Sequence, residues 1–268
     1  MSENSNALAG KVLVVIGGTT GLGLSAAQAF LACGARGVVV TGRNPASASS
    51  AMASLGATAR AMSGDAGSPG HAAAAIQLAI REFGDFNGLY HVAGGSGRKL
   101  GDGPLHEITD GGWRATLDLN LTTLFNSNRA AVRVFLERKT AGSILNMGSV
   151  LAWSPSPQFF VTHAYAAAKS AIIGFTQSCA AYYASQDIRF NVLAPALVET
   201  PMAHRAAQDE TVLAFIKTKQ PLAGGRIGQA SDLDAAAVYF LGDGSRFTTG
   251  QVLAVDGGWT VSEGQIPA

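Results

Sequence analysis

The 268-residue chain predicts a single doubly wound α/β domain, one parallel sheet of about seven strands with helices on both faces. Three observations predict it. Short continuous apolar runs, beginning with Val12–Ile16, alternate along the chain with helical stretches. The first run passes through the glycine-rich turn Gly17-Gly18-Thr19-Thr20-Gly21-Leu22-Gly23 directly into a helical pattern. Tyr165 and Lys169 stand four residues apart inside an Ala-rich helical run, 164–184. Continuous apolar runs suit strands buried on both faces, and strand–helix alternation implies right-handed crossovers between parallel strands.

Taken in order, a polar start (1–6) precedes the first strand, Val12–Ile16, and a helix is expected over Leu24–Cys33. Glycines between them let backbone N–H groups approach a pyrophosphate at the positive end of a helix. A tight strand-to-helix turn without ligand is the alternative. Gly37–Thr41 reads as the second strand, stopped by Gly42-Arg43-Asn44-Pro45, with a weaker helix over Ala46–Leu55. A short strand near Ala57–Met62 ends at Gly64-Asp65, and His71–Phe83 is helical. Gly88–Val92 is a fourth strand, closed by Ala93-Gly94-Gly95. One long helical region is expected from about Trp113 to Lys139, its start blurred by Asp110-Gly111-Gly112. Ser143–Met147, Ile188–Leu193 and Gln251–Val255 complete the strands, with Pro195 stopping the sixth.

Residues 199–228 break the alternation. They carry Pro201, Pro221 and Gly224-Gly225 around an amphipathic stretch, Thr211–Ile216. Ligands of open α/β sheets sit beyond the carboxyl ends of the strands, so this insertion is expected to be a substrate lid. No repeat or linker interrupts the chain, and 1–268 reads as one domain.

The chain is 47% hydrophobic and 14% charged, enough apolar material for a two-sided core and too little charge for a disordered chain. A net charge of +1 gives no nucleic-acid footprint and no polybasic membrane patch. Val12–Ile16 is too short to span a membrane and lacks signal-peptide flanks. Cys33 and Cys179 suggest no disulfide framework, so a cytoplasmic protein is expected. The five histidines are scattered without metal-ligand spacing, and no metal site is expected.

On a helix, Tyr165 and Lys169 share one face. A phenol with an ordinary pKa of about 10 is a poor acid or base at neutral pH. An ammonium one turn away favours the phenolate and draws the group into working range. Such a pair could pass a proton to or from an alcohol or carbonyl oxygen.

With the glycine turn and this pair placed, the chain from Lys11 to Trp259 resembles the short-chain dehydrogenase/reductase family. Gly17, Gly21 and Gly23 match the Thr-Gly-x-x-x-Gly-x-Gly turn, with Ile16 for the threonine. His91-Val92-Ala93-Gly94 stands where the family has Asn-Asn-Ala-Gly. Asp65-Ala66 resembles the adenine-side position, Leu119-Asn120-Leu121 the catalytic asparagine segment, and Leu145–Ser149 the strand bearing the catalytic serine. Pro195–Thr200 resembles the Pro-Gly-x-x-x-Thr segment beside the nicotinamide, and Asp256–Trp259 the family's ending.

The resemblance implies a Rossmann-like fold and hydride transfer between NADP(H) or NAD(H) and a small-molecule carbonyl or secondary alcohol. It implies Asn120, Ser149, Tyr165 and Lys169 as catalytic residues. Tyr165 would be general acid in reduction and base in oxidation, and Lys169 would lower its pKa and bond the nicotinamide ribose. Ser149 would hold the substrate oxygen, and Asn120 would hold a relay water. Cofactor contacts are expected from Gly17, Thr19, Thr20, Gly21, Leu22, Gly23, Arg43, Asp65, Ala66, Ala93, Gly94, Pro195, Val198 and Thr200, besides Tyr165 and Lys169. By this alignment the carboxylate that would repel a 2′-phosphate is Gly42, and Arg43 follows it, so NADP(H) is expected over NAD(H). Phe159-Phe160 and Trp153 suggest an apolar substrate wall. Small residues on the Tyr165 helix (Ala166, Ala167, Ala168, Ala171, Gly174) suggest helix pairing in a homotetramer of two-fold symmetry. The alternatives are an NAD-dependent dehydrogenase of a sugar, polyol or hydroxysteroid, and a noncatalytic nucleotide-sensing relative.

Overall fold

In the computed structural model, which describes residues 6–200 and 203–264, all seven expected strands form. They are β1 (Val12–Ile16), β2 (Gly37–Gly42), β3 (Ala59–Ser63), β4 (Gly88–His91), β5 (Gly142–Met147), β6 (Ile188–Pro195) and β7 (Val252–Val255). The sheet order is β3-β2-β1-β4-β5-β6-β7, and every neighbouring pair is parallel. From β1 the chain moves outward to β3, then returns to β4 and proceeds the other way. The reversal opens a crevice between β1 and β4, and Ile16 pairs with both Thr41 and His91, so three strands end at its floor.

Nine α-helices occur among the described residues: α1 (Gly21–Ala32), α2 (Pro45–Leu55), α3 (His71–Phe83), α4 (Asp110–Leu117), α5 (Thr123–Arg138), α6 (His163–Tyr183), α7 (His204–Ala207), α8 (Glu210–Lys219) and α9 (Asp234–Leu241). The β1 run is apolar throughout because both faces are covered. Val12, Val14 and Ile16 pack with α3 and α5, while Leu13 and Val15 pack with α1 and α9. All five side chains are fully buried, so truncating the larger ones to Ala should cost about 2–5 kcal/mol each.

Two helical features depart from the sequence reading. The region expected as one helix over 113–139 is α4, a π-helical turn (Asp118–Thr122) and α5. It starts earlier, at Asp110, because Thr109 Oγ1 accepts a hydrogen bond from Gly112 N–H at 3.0 Å. The unexpected helix is α9, which buries Ala237, Val238, Phe240 and Leu241. Its sequence DAAAVYFL is short and apolar without a polar stripe, so no helical period stands out.

Buried polar bonds tie the layers together. Asn146 on β5 exchanges two 2.9 Å hydrogen bonds with Asn128 on α5 and donates a third to Thr176 on α6 at 3.0 Å. Within 199–228, α8 packs Val212, Phe215 and Ile216 against Trp259. Pro201 lies outside the described residues.

Candidate active site

A cavity of about 470 Å³ lies beyond the carboxyl ends of β1, β2, β4, β5 and β6. Of the expected cofactor contacts, all but Gly23 line it. At one end are Arg43, Asp65 and Ala66; in the middle is the turn 17–22 with Ala93 and Gly94; at the other are Ser149, Tyr165, Lys169, Pro195, Val198 and Thr200. Gly23 serves packing instead. A Cβ there would stand 2.3 Å from the Gly17 carbonyl oxygen, so only glycine lets α1 close onto the turn.

The donor set fits a nicotinamide dinucleotide. No side chain caps α1 at Thr20, which leaves its first-turn N–H groups for an anion beside the cavity. Lys169 is buried and donates to the Met147 carbonyl at 2.8 Å. An ammonium has three N–H donors, so two remain for ribose hydroxyls.

Tyr165 and Lys169 lie one turn apart on α6, with the Lys169 Nζ 5.5 Å from the phenol ring centroid. The electrostatics run opposite to the sequence expectation. Burial raises the Tyr165 pKa, and the Ser149 hydroxyl bonded to the phenol offsets only part of that. The Lys169 ammonium bonds the Met147 carbonyl, and burial lowers its own pKa to about 8. The phenol is therefore held neutral, as a proton donor.

Asn120 does not line the cavity. It is fully buried in the π turn, where its Oδ1 accepts from Gly95 N–H at 3.0 Å and its Nδ2 donates to Gly95 and Thr116 carbonyls, both at 2.9 Å. The space that a side chain at Gly94 would take is bounded by Asn120 Oδ1 at 2.7 Å and Lys169 Nζ at 3.8 Å. His91 is buried beneath, with Nδ1 2.8 Å from Ser127 Oγ, and burial followed by the Lys169 charge pushes its pKa down to about 3. It is a neutral core residue.

The apolar wall differs from expectation. Phe160 lines the cavity, but Phe159 packs tilted against Phe215, ring centroids 4.8 Å apart, and Trp153 is exposed outside it. Trp259, buried against Phe160 and Phe215, takes the expected place of Trp153. His163 is exposed at the first position of α6, outside the lining. Sequence reasoning missed Asp102, Arg98 and Arg205. Asp102 is buried and accepts from the N–H groups of Ala164 and Tyr165, while Arg98 and Arg205 line the cavity. No local pattern marks any of the three, since each acts through a contact distant in sequence. Among the described residues no His/Cys/Asp/Glu cluster could hold a metal, and no helix is long and apolar enough to cross a membrane.

The comparisons with known proteins agree with this geometry. A family model described as enoyl-(acyl carrier protein) reductase matches residues 2–260. The chain is 34% identical to momilactone A synthase of Oryza sativa subsp. japonica, over 97% of this chain and 94% of that protein. It is 32% identical to the 2,5-dichloro-2,5-cyclohexadiene-1,4-diol dehydrogenase of Sphingobium indicum, over 94% of this chain and 98% of that protein. Among solved structures, a short-chain type dehydrogenase/reductase from Mycobacterium ulcerans superposes with a TM-score of 0.87 at 27% identity, covering 96% of this chain and 92% of that one. The chain belongs to the short-chain dehydrogenase/reductase family, whose members use NAD(P)(H) in oxidoreduction of CH–OH or carbonyl groups.

Proposed function

We propose that the protein interconverts a carbonyl and a secondary alcohol with NADP(H), using Tyr165 as general acid in reduction and general base in oxidation. The observation that carries the reading is the meeting of Ser149, Tyr165 and Lys169 at one end of a cavity whose middle is the uncapped start of α1. The bound nicotinamide supplies or accepts the hydride at the substrate carbon. Ser149 and the Tyr165 phenol hold the substrate oxygen, and the neutral phenol passes its proton as negative charge develops there. Lys169 holds the ribose and compensates the phenolate left behind. Asn120 would hold a water that links Lys169 to solvent and returns the proton, the role the family resemblance implies. Pro195, Val198 and Thr200 border the nicotinamide end, and Asp65-Ala66 the adenine end.

The preference for NADP(H) rests on Arg43, an exposed guanidinium lining the cavity after β2 with no carboxylate paired to it among the described residues. The missing acid at Gly42 has a structural counterpart. A Cβ at position 42 would stand 2.0 Å from Thr19 Oγ1, so Thr19 fills the space where the carboxylate would rise.

The segment 199–228 acts as a substrate lid on a single domain, since Ala203 and Ala206 line the cavity while α8 is anchored on Trp259. The chain assembles as a homotetramer. Ala167, Ala171 and Gly174 leave a small-residue strip of α6 exposed, with nothing within 4 Å of a Cβ at Gly174. The outer strand β7 presents Leu253, and Phe247, in the segment before it, is fully exposed. Cys33 and Cys179 are free thiols, in keeping with the cytoplasm. The reading is tested by screening ketones, aldehydes and secondary alcohols against NADPH, NADH and their oxidised forms, following absorbance of the reduced nucleotide. Substrate-dependent oxidation or reduction is expected; nucleotide binding with no turnover across the panel would favour a noncatalytic sensor.

A further inference from the structure

Two arginines in the cavity are unused by the proposed chemistry. Arg98 follows β4, and its Nη2 donates to the Phe159 carbonyl at 3.0 Å, which fixes the guanidinium against the segment between Ser149 and Tyr165. Arg205 lies on α7, in the 199–228 insertion, and also lines the cavity. Both belong to the end holding Tyr165, whereas Arg43 and Asp65 follow β2 and β3, across the sheet.

The two guanidinium groups sense each other. Both side chains are exposed to solvent at the cavity; partial desolvation lowers the Arg98 pKa first, and the positive charge of Arg205 lowers it further. Neither arginine forms an ion pair among the described residues. Asp102 offers Arg98 partial relief, but both of its oxygens already accept backbone bonds, from Ala164 at 3.0 Å and Tyr165 at 2.9 Å. The surrounding wall is apolar, with Leu151, Phe160 and Trp259. Two like charges lining such a cavity gain most from an anion that both can reach, and guanidinium groups bind planar or tetrahedral oxyanions through paired N–H donors.

We propose that Arg98 and Arg205 form a subsite for an anionic group of the substrate, a carboxylate, sulfonate or phosphate carried some atoms from the carbon that is oxidised or reduced. This rests on the oxidoreductase reading given above. Arg98 is the fixed half of the subsite. Arg205 is the half carried by the insertion.

The test is calorimetric titration of the protein saturated with oxidised nicotinamide nucleotide. The probes are 4-oxopentanoate and 5-oxohexanoate, each against its methyl ester, and 2-oxopropylphosphonate against its dimethyl ester. At least one acid should bind about tenfold or more tightly than its ester. Arg98→Gln and Arg205→Gln should each remove most of that preference while changing ester binding by less than about twofold. Equal binding of every acid and ester, or a preference that survives both substitutions, overturns the subsite. Loss of nucleotide affinity in Arg205→Gln with the acid preference intact assigns Arg205 to the cofactor phosphates and also overturns it. Turnover of the ketone group of the neutral esters, assayed separately with NADPH and NADH as hydride donors, separates the two readings. Reduction of esters without any preference for acids removes the subsite and leaves the oxidoreductase. Preferential binding of acids with no hydride transfer to any probe or to any ketone, aldehyde or alcohol of the wider panel leaves the anion subsite and removes the catalytic reading.

Discussion

Asp102 Oδ2 accepts a hydrogen bond from the Tyr165 backbone N–H at 2.9 Å, across 63 residues of sequence. Its other oxygen takes the Ala164 N–H, while Thr162 at the start of α6 makes no side-chain cap. One carboxylate thus satisfies two orphan donors of the helix and places negative charge at its positive end. Asp102→Ala should cost about 0.5–2 kcal/mol of stability. It should also lower kcat while leaving the cofactor KM unchanged, because Tyr165 loses its fixed backbone. Asp102→Asn should recover part of both. Denaturant melts and steady-state kinetics check this, and an unchanged kcat in the alanine variant would make Asp102 a structural cap only.

Tyr165→Phe keeps the ring and removes the proton donor. Turnover should fall by a factor on the order of 10²–10⁴. Nucleotide binding, measured by fluorescence titration, should persist because Lys169 and the turn 17–22 remain. Parental activity in the variant rules out Tyr165 as the acid.

Lys169 gives a stability signature at alkaline pH. Its pKa falls from an ordinary 10.5 to about 8 on burial. Between those values the unfolded chain holds the proton and the native chain does not, so unfolding free energy should rise with pH through that window. The gap corresponds to roughly 3 kcal/mol. In Lys169→Met this contribution should vanish. Denaturation of both proteins at pH values spanning the window measures it, and parallel curves would show that the ammonium is not desolvated as described.

Arg43→Ala tests cofactor choice. A charge-assisted hydrogen bond of roughly 1.5–3 kcal/mol corresponds to about a 10- to 150-fold preference for NADP(H). The substitution should erase most of it, read as the ratio of kcat/KM values for the two cofactors. Equal efficiencies in the parent protein would show that Arg43 does not read the phosphate. Gly42→Asp is the weaker test, because the new Cβ meets Thr19 Oγ1.

Light scattering at micromolar concentration should report a tetramer. Gly174→Arg puts a long charged side chain where a Cβ now meets open space, so the fold should survive while the assembly shrinks. A monomeric parent protein removes the assembly reading.

The inner strands were legible because β1, β2, β5 and β6 are buried almost throughout and carry apolar runs that a linear reading detects, while the partly exposed edge strands β3 and β7 were read from shorter runs between turns. The glycine turn and the Tyr165–Lys169 spacing were legible for a similar reason: their chemistry depends on neighbours in the chain. Tertiary structure decided what depends on contacts distant in sequence. It divided the helix over 110–138 at Asn120, whose amide bonds Gly95, and it made α9 from a segment with no readable period. It exchanged Trp153 for Trp259 in the cavity wall and set Asp102 on the backbone of Tyr165. It also reversed the expected pKa shift of Tyr165, because desolvation depends on everything packed around a group, whereas spacing along a helix specifies only one neighbour.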